Sequence, residues 1–261
     1  MRFLKAHGLG NDYLVLEEGG PITPSLCRAI CDRHTGLGSD GILEPADPGG
    51  CDHGVTIWNP DGSVAEKSGN GLRIYARWLH DARGAPAHFT VWTGACAVQA
   101  EVHAEDVTVA MGRARVGETT LAVDGAARPL VIVDLGNPHC VWFTDSPLDA
   151  LPWRSWGATL ENHPHFPNRT NVQFVRIVHG APEIRIWERG AGETSASGSS
   201  SCAVVAASVA TGRLAPGAHT VHMPGGTLAV AVDDGLEVTL RGPVEVVGRM
   251  TLDPGWLSAR G

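Results

Sequence analysis

The sequence lacks the features of several common protein classes. It contains no run approaching 18 consecutive apolar residues, so a membrane-spanning helix is not expected. Basic residues are outnumbered, with 20 Lys and Arg against 28 Asp and Glu and a formal net charge of −8. This balance argues against nucleic acid or an anionic membrane surface as a partner. The first residues carry no apolar signal-peptide segment, so we expect a cytoplasmic protein.

Motifs for metals, nucleotides and hydrolytic nucleophiles are also missing. The six cysteines form no C-x-x-C pair and the twelve histidines no H-E-x-x-H motif, so no metal site is indicated. Residues 190–200 lack the lysine of a phosphate-binding loop, and no G-x-G-x-x-G stands between a predicted strand and a predicted helix. No candidate serine lies in the G-x-S-x-G turn of α/β-hydrolases. We interpret Cys27 and Cys31, spaced four apart, as small apolar residues on a buried helix face.

Short strand-like runs and two apolar helices make up most of what is present. The 33 glycines and 17 prolines favour many strands and turns over a helical bundle. Residues 71–79 and 201–210 are apolar almost all round, which is typical of a helix that is central and buried. Residues 113–128 are interpreted as a junction.

The chain reads as two similar halves. Trp58 precedes Ser68 by ten residues, and Trp187 precedes Ser197 by the same ten. In each case the predicted order is a strand, a glycine-containing turn, Ser-Gly and a buried helix. We therefore predict two domains, residues 1–116 and 117–261, with a cleft between them. About the last 15 residues are expected to pack back onto the first domain.

Ser68 and Ser197 each stand where a loop becomes a predicted helix. Gly69 and Gly198 follow them, and glycine allows a ligand to approach the backbone closely. The free N–H groups of a helix's first turn attract an anion such as a carboxylate, or the enolate-like carbanion of an amino acid. The alternative is that each serine is only an N-cap, for which serine is a favoured residue. From these residues alone both interpretations stay open.

Seven blocks follow one another along nearly the whole chain. They are Phe3-x-Lys5-x-His7-Gly8-Leu9-Gly10-Asn11-Asp12-Tyr13, Asp32-Arg33-His34 with Gly36-Leu37-Gly38-Ser39-Asp40-Gly41, Trp58-Asn59-Pro60-Asp61-Gly62-Ser63, Gly69-Asn70-Gly71-Leu72-Arg73, Gly136-Asn137-Pro138-His139-Cys140, Thr170-Asn171-Val172, and Glu188-Arg189-Gly190-Ala191-Gly192-Glu193-Thr194. In these blocks the chain resembles the diaminopimelate epimerase family of amino-acid isomerases. The resemblance implies an α/β (α+β) fold with two pseudo-symmetric domains, each a barrel-like, mostly antiparallel sheet around a central helix. It also places the active site in the cleft between the domains.

The resemblance also implies a site and a reaction. In the family one cysteine thiolate removes the substrate's α-proton while an opposed cysteine thiol delivers a proton to the other face. By motif, Ser68 and Ser197 stand at those two positions, and His139 and Glu188 match the residues that tune the catalytic thiols. The residues that match the family's substrate-binding set are Asn11, Asn59, Gly69, Asn70, Asn137, Asn171, Arg189, Gly198 and Ser199.

The implied ligand is an amino acid. Its candidate is LL- or meso-diaminopimelate, an intermediate of lysine and cell-wall precursor biosynthesis. Neither a metal nor an organic cofactor is implied, and a homodimer is the oligomer that the family suggests. Amide side chains both donate and accept, which suits a zwitterionic amino-acid end, and the guanidinium of Arg189 suits a carboxylate.

Serine at both positions changes the expected chemistry. A cysteine thiol ionises near pH 8.5, and a serine hydroxyl is at least about four pKa units weaker, which costs roughly 5 kcal/mol per alkoxide. One replacement is therefore expected to slow proton transfer on the order of a thousandfold. Four interpretations remain open: an epimerase with both cysteines replaced, a homologue using Glu188 or His139 as base, an enzyme for a one-base isomerisation or elimination, and a silent amino-acid binder.

Overall fold

A computed structural model describes residues 1–260 of the chain, and the regular elements of that part are named in chain order. The first group is β1 (Arg2–Gly8), β2 (Asn11–Glu18), α1 (Pro24–Cys31), β3 (Ile42–Ala46), β4 (His53–Trp58), β5 (Val64–Ala65), α2 (Gly69–Arg83), β6 (His88–Trp92), β7 (Ala97–Val102), β8 (Asp106–Arg113), β9 (Arg115–Val123) and β10 (Ala126–Asp134). The second group is β11 (Pro138–Phe143), α3 (Trp153–Glu161), β12 (Asn171–Val178), β13 (Ala181–Glu188), β14 (Gly192–Thr194), α4 (Gly198–Ala210), β15 (Gly217–Met223), β16 (Gly226–Val232), β17 (Glu237–Pro243), β18 (Glu245–Thr251) and α5 (Pro254–Ser258). A 3-10 turn covers Leu148–Ala150.

Two compact units divide the chain. The first runs over Met1–Val109 and takes in the C-terminal segment from Gly242 onward; the second is Ala110–Arg241. The sequence places the boundary after residue 116 and assigns about 15 C-terminal residues to the first half. The structure draws the boundary seven residues earlier, after Val109, and begins the returning segment at Gly242.

In the first unit a mostly antiparallel sheet surrounds helix α2. β1 pairs antiparallel with β2 and with β18. The order then continues with a parallel step from β2 to β3, an antiparallel β3–β4 pair, a parallel β4–β6 pair and antiparallel β6–β7 and β7–β8 pairs. Ten of the fifteen residues of α2 are buried, and the helix ends at Gly84, whose φ of 70° suits the left-handed conformation that glycine adopts easily.

The second unit repeats that pairing order around helix α4. β10 pairs antiparallel with β11 and with β9, and β11 then pairs parallel with β12. Next come an antiparallel β12–β13 pair, a parallel β13–β15 pair and antiparallel β15–β16 and β16–β17 pairs. Each strand pair is parallel or antiparallel as in the corresponding pair of the first unit. Helix α4 is apolar on all sides, and most of its residues are buried.

The structure confirms the two buried helices and the burial of Cys27 and Cys31, and it corrects the predicted junction. The two buried helices are present but begin earlier than predicted, at Gly69 and Gly198. Residues 113–128 are not a junction: β9 occupies Arg115–Val123 and pairs along its length with β10 inside the second unit. Cys27 and Cys31 lie on the buried side of α1, as predicted.

Helix length and polarity also bear on membranes. Among residues 1–260, none of the helices is long and apolar enough to cross a bilayer.

Candidate active site

Ser68 is the N-cap residue of helix α2. Its backbone is extended, with φ −139° and ψ 116°. The hydroxyl oxygen accepts a hydrogen bond from the backbone N–H of Gly71 at 3.1 Å. The first backbone bond of the helix runs from the N–H of Leu72 to the carbonyl oxygen of Ser68, at 2.9 Å. The N–H groups of Gly69 and Asn70 lie ahead of that bond, at the positive end of the helix, where an anion is favoured.

Ser197 occupies the same place on helix α4. Its φ is −150° and its ψ is 124°, and its hydroxyl oxygen accepts from the N–H of Ser200 at 3.5 Å. The N–H of Ser201 donates to the carbonyl oxygen of Ser197 at 3.1 Å, which leaves Gly198 and Ser199 in the equivalent first turn. The N-cap interpretation is therefore confirmed for both serines. It does not compete with a functional role, because the cap places each hydroxyl beside the first-turn N–H groups.

In the first unit the structure brings two of the predicted amides together. The Asn70 side-chain nitrogen donates to Oδ1 of Asn11 at 3.1 Å, and Nδ2 of Asn11 donates to Oδ2 of Asp40 at 2.9 Å. Both ends of the Asn11 amide are thereby fixed. Asn59 does not join this chain of hydrogen bonds through its side-chain nitrogen, which donates within its own turn to Oγ of Ser63 at 3.0 Å.

His139 is fully buried and lies in a chain of hydrogen bonds in the second unit. Nε2 of Gln173 lies 3.0 Å from Nδ1 of His139 and 3.0 Å from Oγ of Ser200. An amide nitrogen donates, so Nδ1 accepts and the proton of the neutral ring is on Nε2, which lies 3.0 Å from Oδ1 of Asn137. Burial, followed by the charge of Arg189, lowers the pKa of His139 to about 3. The ring is thus a neutral donor to Asn137.

Asn171 joins the two segments that carry the remaining candidates of this unit. Its Oδ1 accepts from the backbone N–H of Arg189 at 3.0 Å, and its Nδ2 donates to the carbonyl oxygen of Pro138 at 2.9 Å. Glu188, next to Arg189, accepts on Oε1 a hydrogen bond from the hydroxyl of Thr194 at 2.7 Å. Asn171 therefore sets the distance between the 137–139 and 188–189 segments. Arg189 itself is exposed.

Glu161, at the end of α3, holds the same 187–190 segment from the other side. Glu161 is only 6% exposed. The carboxylate accepts from the indole Nε1 of Trp187 at 2.8 Å, from the N–H of Gly190 at 2.8 Å and from Nη1 of Arg169 at 3.2 Å. A buried carboxylate needs such donors, and here they fix the strand end that presents Glu188 and Arg189.

Sequence reasoning missed side chains that hydrogen-bond to candidate residues, among them Tyr13, Asp40, Gln173 and Thr194. It also missed Glu161 and Ser200, which hold neighbours of the candidates in place. Tyr13, Asp40 and Thr194 stand inside the motif blocks, and Gln173 directly follows one, so position within a block was the available signal. Glu161 carried none, because its contacts come from residues 8 to 29 positions away.

The family comparison matches most of the chain. A family model described as diaminopimelate epimerase matches residues 3–117 and 131–247. The chain is 38% identical over 285 residues to a diaminopimelate epimerase of Desulforudis audaxviator, covering 99% of the chain and all of that protein. It is also 38% identical over 262 residues to diaminopimelate epimerase 2 of a Nostoc species, covering 92% and 91%. These matches confirm the resemblance predicted from the seven blocks.

Solved structures share the fold at low sequence identity. A probable proline racemase from Agrobacterium radiobacter K84 superposes with a TM-score of 0.75 at 19% identity, covering 97% of this chain and 93% of that one. A phenazine biosynthesis protein from Bacillus anthracis gives 0.76 at 13% identity, with 97% and 99% covered. The predicted mixed fold of two repeated, mostly antiparallel domains is confirmed.

Proposed function

The chain belongs to the diaminopimelate epimerase family of isomerases, and we propose that it binds diaminopimelate and inverts its α-carbon slowly. One proton transfer takes place at Ser68 and the other at Ser197. This reaction interconverts the LL and meso forms, a step of lysine and cell-wall precursor biosynthesis. The observation that carries the proposal is the equivalent placement of both hydroxyls, each capping the N-terminus of its unit's central helix.

Those helix N-termini suit the charge that the reaction develops. Removal of an α-proton places negative charge on the α-carbon and its carboxylate, and first-turn N–H groups stabilise such charge. Gly69 and Gly198 leave the approach to these groups free of side chains. Asn70 and Ser199 add a polar side chain at the second position of each helix.

The amide and guanidinium groups support an amino acid with a second polar end. His139 donates to the oxygen of Asn137, so the Asn137 nitrogen is left to donate to a ligand oxygen. Arg189 supplies a bidentate donor for a carboxylate, and its backbone is held by Asn171. Diaminopimelate carries a carboxylate and an ammonium group at each end. One end suits the helix N-termini, and the other suits the amide and guanidinium groups.

The two serines set the rate. Each alkoxide costs roughly 5 kcal/mol more than a thiolate, so each serine is expected to slow its proton transfer about a thousandfold. His139 does not remove this barrier, since both of its ring nitrogens are engaged by Gln173 and Asn137.

A silent amino-acid binder is the second candidate. The low pKa of His139, a consequence of burial, favours it because a ring that stays neutral below pH 4 is a poor proton acceptor at neutral pH. Such a binder gains thermal stability with diaminopimelate but transfers no α-proton.

Deuterium exchange separates these functions. The native chain and the double variant Ser68→Cys/Ser197→Cys are incubated with meso-diaminopimelate in D2O, and deuterium at the α-carbons and the ratio of stereoisomers are followed. We expect rapid exchange and inversion by the double variant and slow exchange by the native chain. Binding without exchange by the native chain, with exchange by the double variant, identifies the silent binder. No exchange by either protein contradicts the proposed reaction.

A further inference from the structure

Tyr13 meets Ser68 from the neighbouring strand. It lies on β2, is only 6% exposed, and its phenol oxygen is 3.0 Å from Oγ of Ser68. Gly41 lies against the edge of the ring, because a Cβ atom at that position would lie 2.6 Å from Cε1 of Tyr13. The glycine therefore leaves the space in which the phenol is held against the serine.

The hydroxyl group of Ser68 has two hydrogen-bond partners. It already accepts the N–H of Gly71 at 3.1 Å, and the phenol of Tyr13 is a second group within hydrogen-bond distance. A hydroxyl group both donates and accepts, so either oxygen can be the donor in the contact between Ser68 and Tyr13. When Tyr13 is a phenolate, it accepts the hydroxyl proton of Ser68.

A phenol loses its proton more readily than an aliphatic hydroxyl, so a phenolate is the more available proton acceptor. Phenols ionise near pH 10, at least about two units below the serine value used above. At neutral pH the phenolate is therefore at least about a hundredfold more abundant than the alkoxide. A serine that passes its proton to a neighbouring phenolate avoids the free alkoxide altogether.

We propose that Tyr13 is the proton-relay partner of Ser68, a positioning residue that acts on the ligand only through the serine. The proposal rests on the function proposed above and deepens it. In the forward step the bond between the α-carbon and its hydrogen breaks, and the electron pair stays on the carbon. The α-proton passes to Oγ of Ser68 while the hydroxyl proton of Ser68 passes to the phenolate oxygen of Tyr13. The reverse transfers deliver a proton to the α-carbon and regenerate the phenolate.

The chain offers a matched control in its only other tyrosine. Tyr75 lies on α2 in the same unit, is buried, and donates its phenol proton to the carbonyl oxygen of Gly54 at 2.8 Å. Tyr75→Phe therefore removes one buried phenol hydrogen bond, as Tyr13→Phe does, without changing the surroundings of Ser68.

The test compares two backgrounds that differ only at position 68. Tyr13→Phe and Tyr75→Phe are each introduced into Ser197→Cys, which keeps Ser68, and into Ser68→Cys/Ser197→Cys. Deuterium incorporation at the α-carbons of meso-diaminopimelate in D2O is measured for all six proteins. We expect Tyr13→Phe to slow exchange about tenfold or more where Ser68 is kept. Its effect in the double-cysteine background is expected to be at least tenfold smaller, because a thiolate needs no relay.

Each outcome decides one point. An equal fold-change from Tyr13→Phe in both backgrounds overturns the relay and leaves a purely structural tyrosine. A similar loss from Tyr75→Phe where Ser68 is kept also overturns it. If the double-cysteine protein exchanges no proton, the proposed function itself has failed, and the relay fails with it for that separate reason.

Discussion

At the scale of single residues, the hydrogen bonds of His139 fix the orientation of neighbouring side chains in the second unit. Gln173 donates to Nδ1 of His139, and the proton on Nε2 of the ring then points at Asn137. The ring transmits the orientation of a buried glutamine to the side-chain amide of Asn137, for which we propose a role in ligand binding. Residues with two hydrogen-bonding states, such as His and Gln, are fixed here by each other and by Ser200.

Replacement of Gln173 by glutamate is expected to reverse the direction of the hydrogen bond between residue 173 and His139. A carboxylate only accepts, so Gln173→Glu is expected to draw the ring proton to Nδ1 and to raise the pKa of His139. Ring nitrogen chemical shifts in histidine-labelled protein report which nitrogen carries the proton. An unchanged Nε2-protonated ring in Gln173→Glu, with the same ring signals as the native protein, is inconsistent with this arrangement.

The pH dependence of stability follows from the same ring. Its pKa is near 6.5 in an unfolded chain and about 3 in the folded protein, where burial disfavours the charge. Between these values the unfolded state binds the proton and the folded state does not, so the free energy of unfolding falls as the pH is lowered. The slope from this group reaches about 1.4 kcal/mol per pH unit.

Urea titrations from pH 7 to pH 4 check that slope. His139→Gln is expected to flatten the fall, whereas His165→Gln, at an exposed histidine, serves as the matched control and keeps it. Equal slopes in the native protein and His139→Gln argue against a buried neutral ring.

At the scale of elements, the helix N-termini link stability to chemistry. The hydroxyl of Ser68 caps α2 at 3.1 Å and that of Ser197 caps α4 at the longer 3.5 Å. Ser68→Ala is therefore expected to lower the free energy of unfolding by about 1 kcal/mol, and Ser197→Ala by less. Urea unfolding measures both, and Ser68→Thr, which keeps a capping hydroxyl, is the control. A larger loss at Ser197 than at Ser68 would reverse the expected order.

Local patterns predicted some elements and not others. The apolar run of residues 71–79 and the run of 201–210 are enough to predict α2 and α4, because burial on all sides leaves a mark in the sequence itself. The sequence of β9 lies within the segment interpreted as a junction, and pairing with β10 makes it a strand. Such pairing is a tertiary contact, and no short window of sequence contains it.

The candidate site, like the fold, could be predicted only in part from the sequence. The motif blocks indicate Ser68, Ser197 and the amides, because each of these residues lies in a block or within three residues of one. The partners that orient them are distant: Gln173 is 34 residues from His139, and Tyr13 is 55 residues from Ser68. Distances of this kind are set by strand pairing, here β11 with β12 and the order around β2, so the sequence alone did not reveal them.

At the scale of the whole molecule, the two units repeat one plan. Each has the same succession of parallel and antiparallel strand pairs around a buried helix that a serine caps. The repeat extends to the tryptophan ten residues before each serine, since Trp58 and Trp187 each donate the indole N–H to a glutamate at 2.8 Å. Two equivalent scaffolds thus carry two equivalent capping hydroxyls, and we expect thiols at the same places to need no other change.

The central claim, that the scaffold is complete and only the thiols are replaced, is tested most directly by one ratio. The rate of α-deuterium incorporation into diaminopimelate is measured for Ser68→Cys/Ser197→Cys and for the native chain under identical conditions. We predict a ratio of at least about a thousandfold in favour of the double variant. Equal rates in the two proteins, or no incorporation by the double variant, would contradict it.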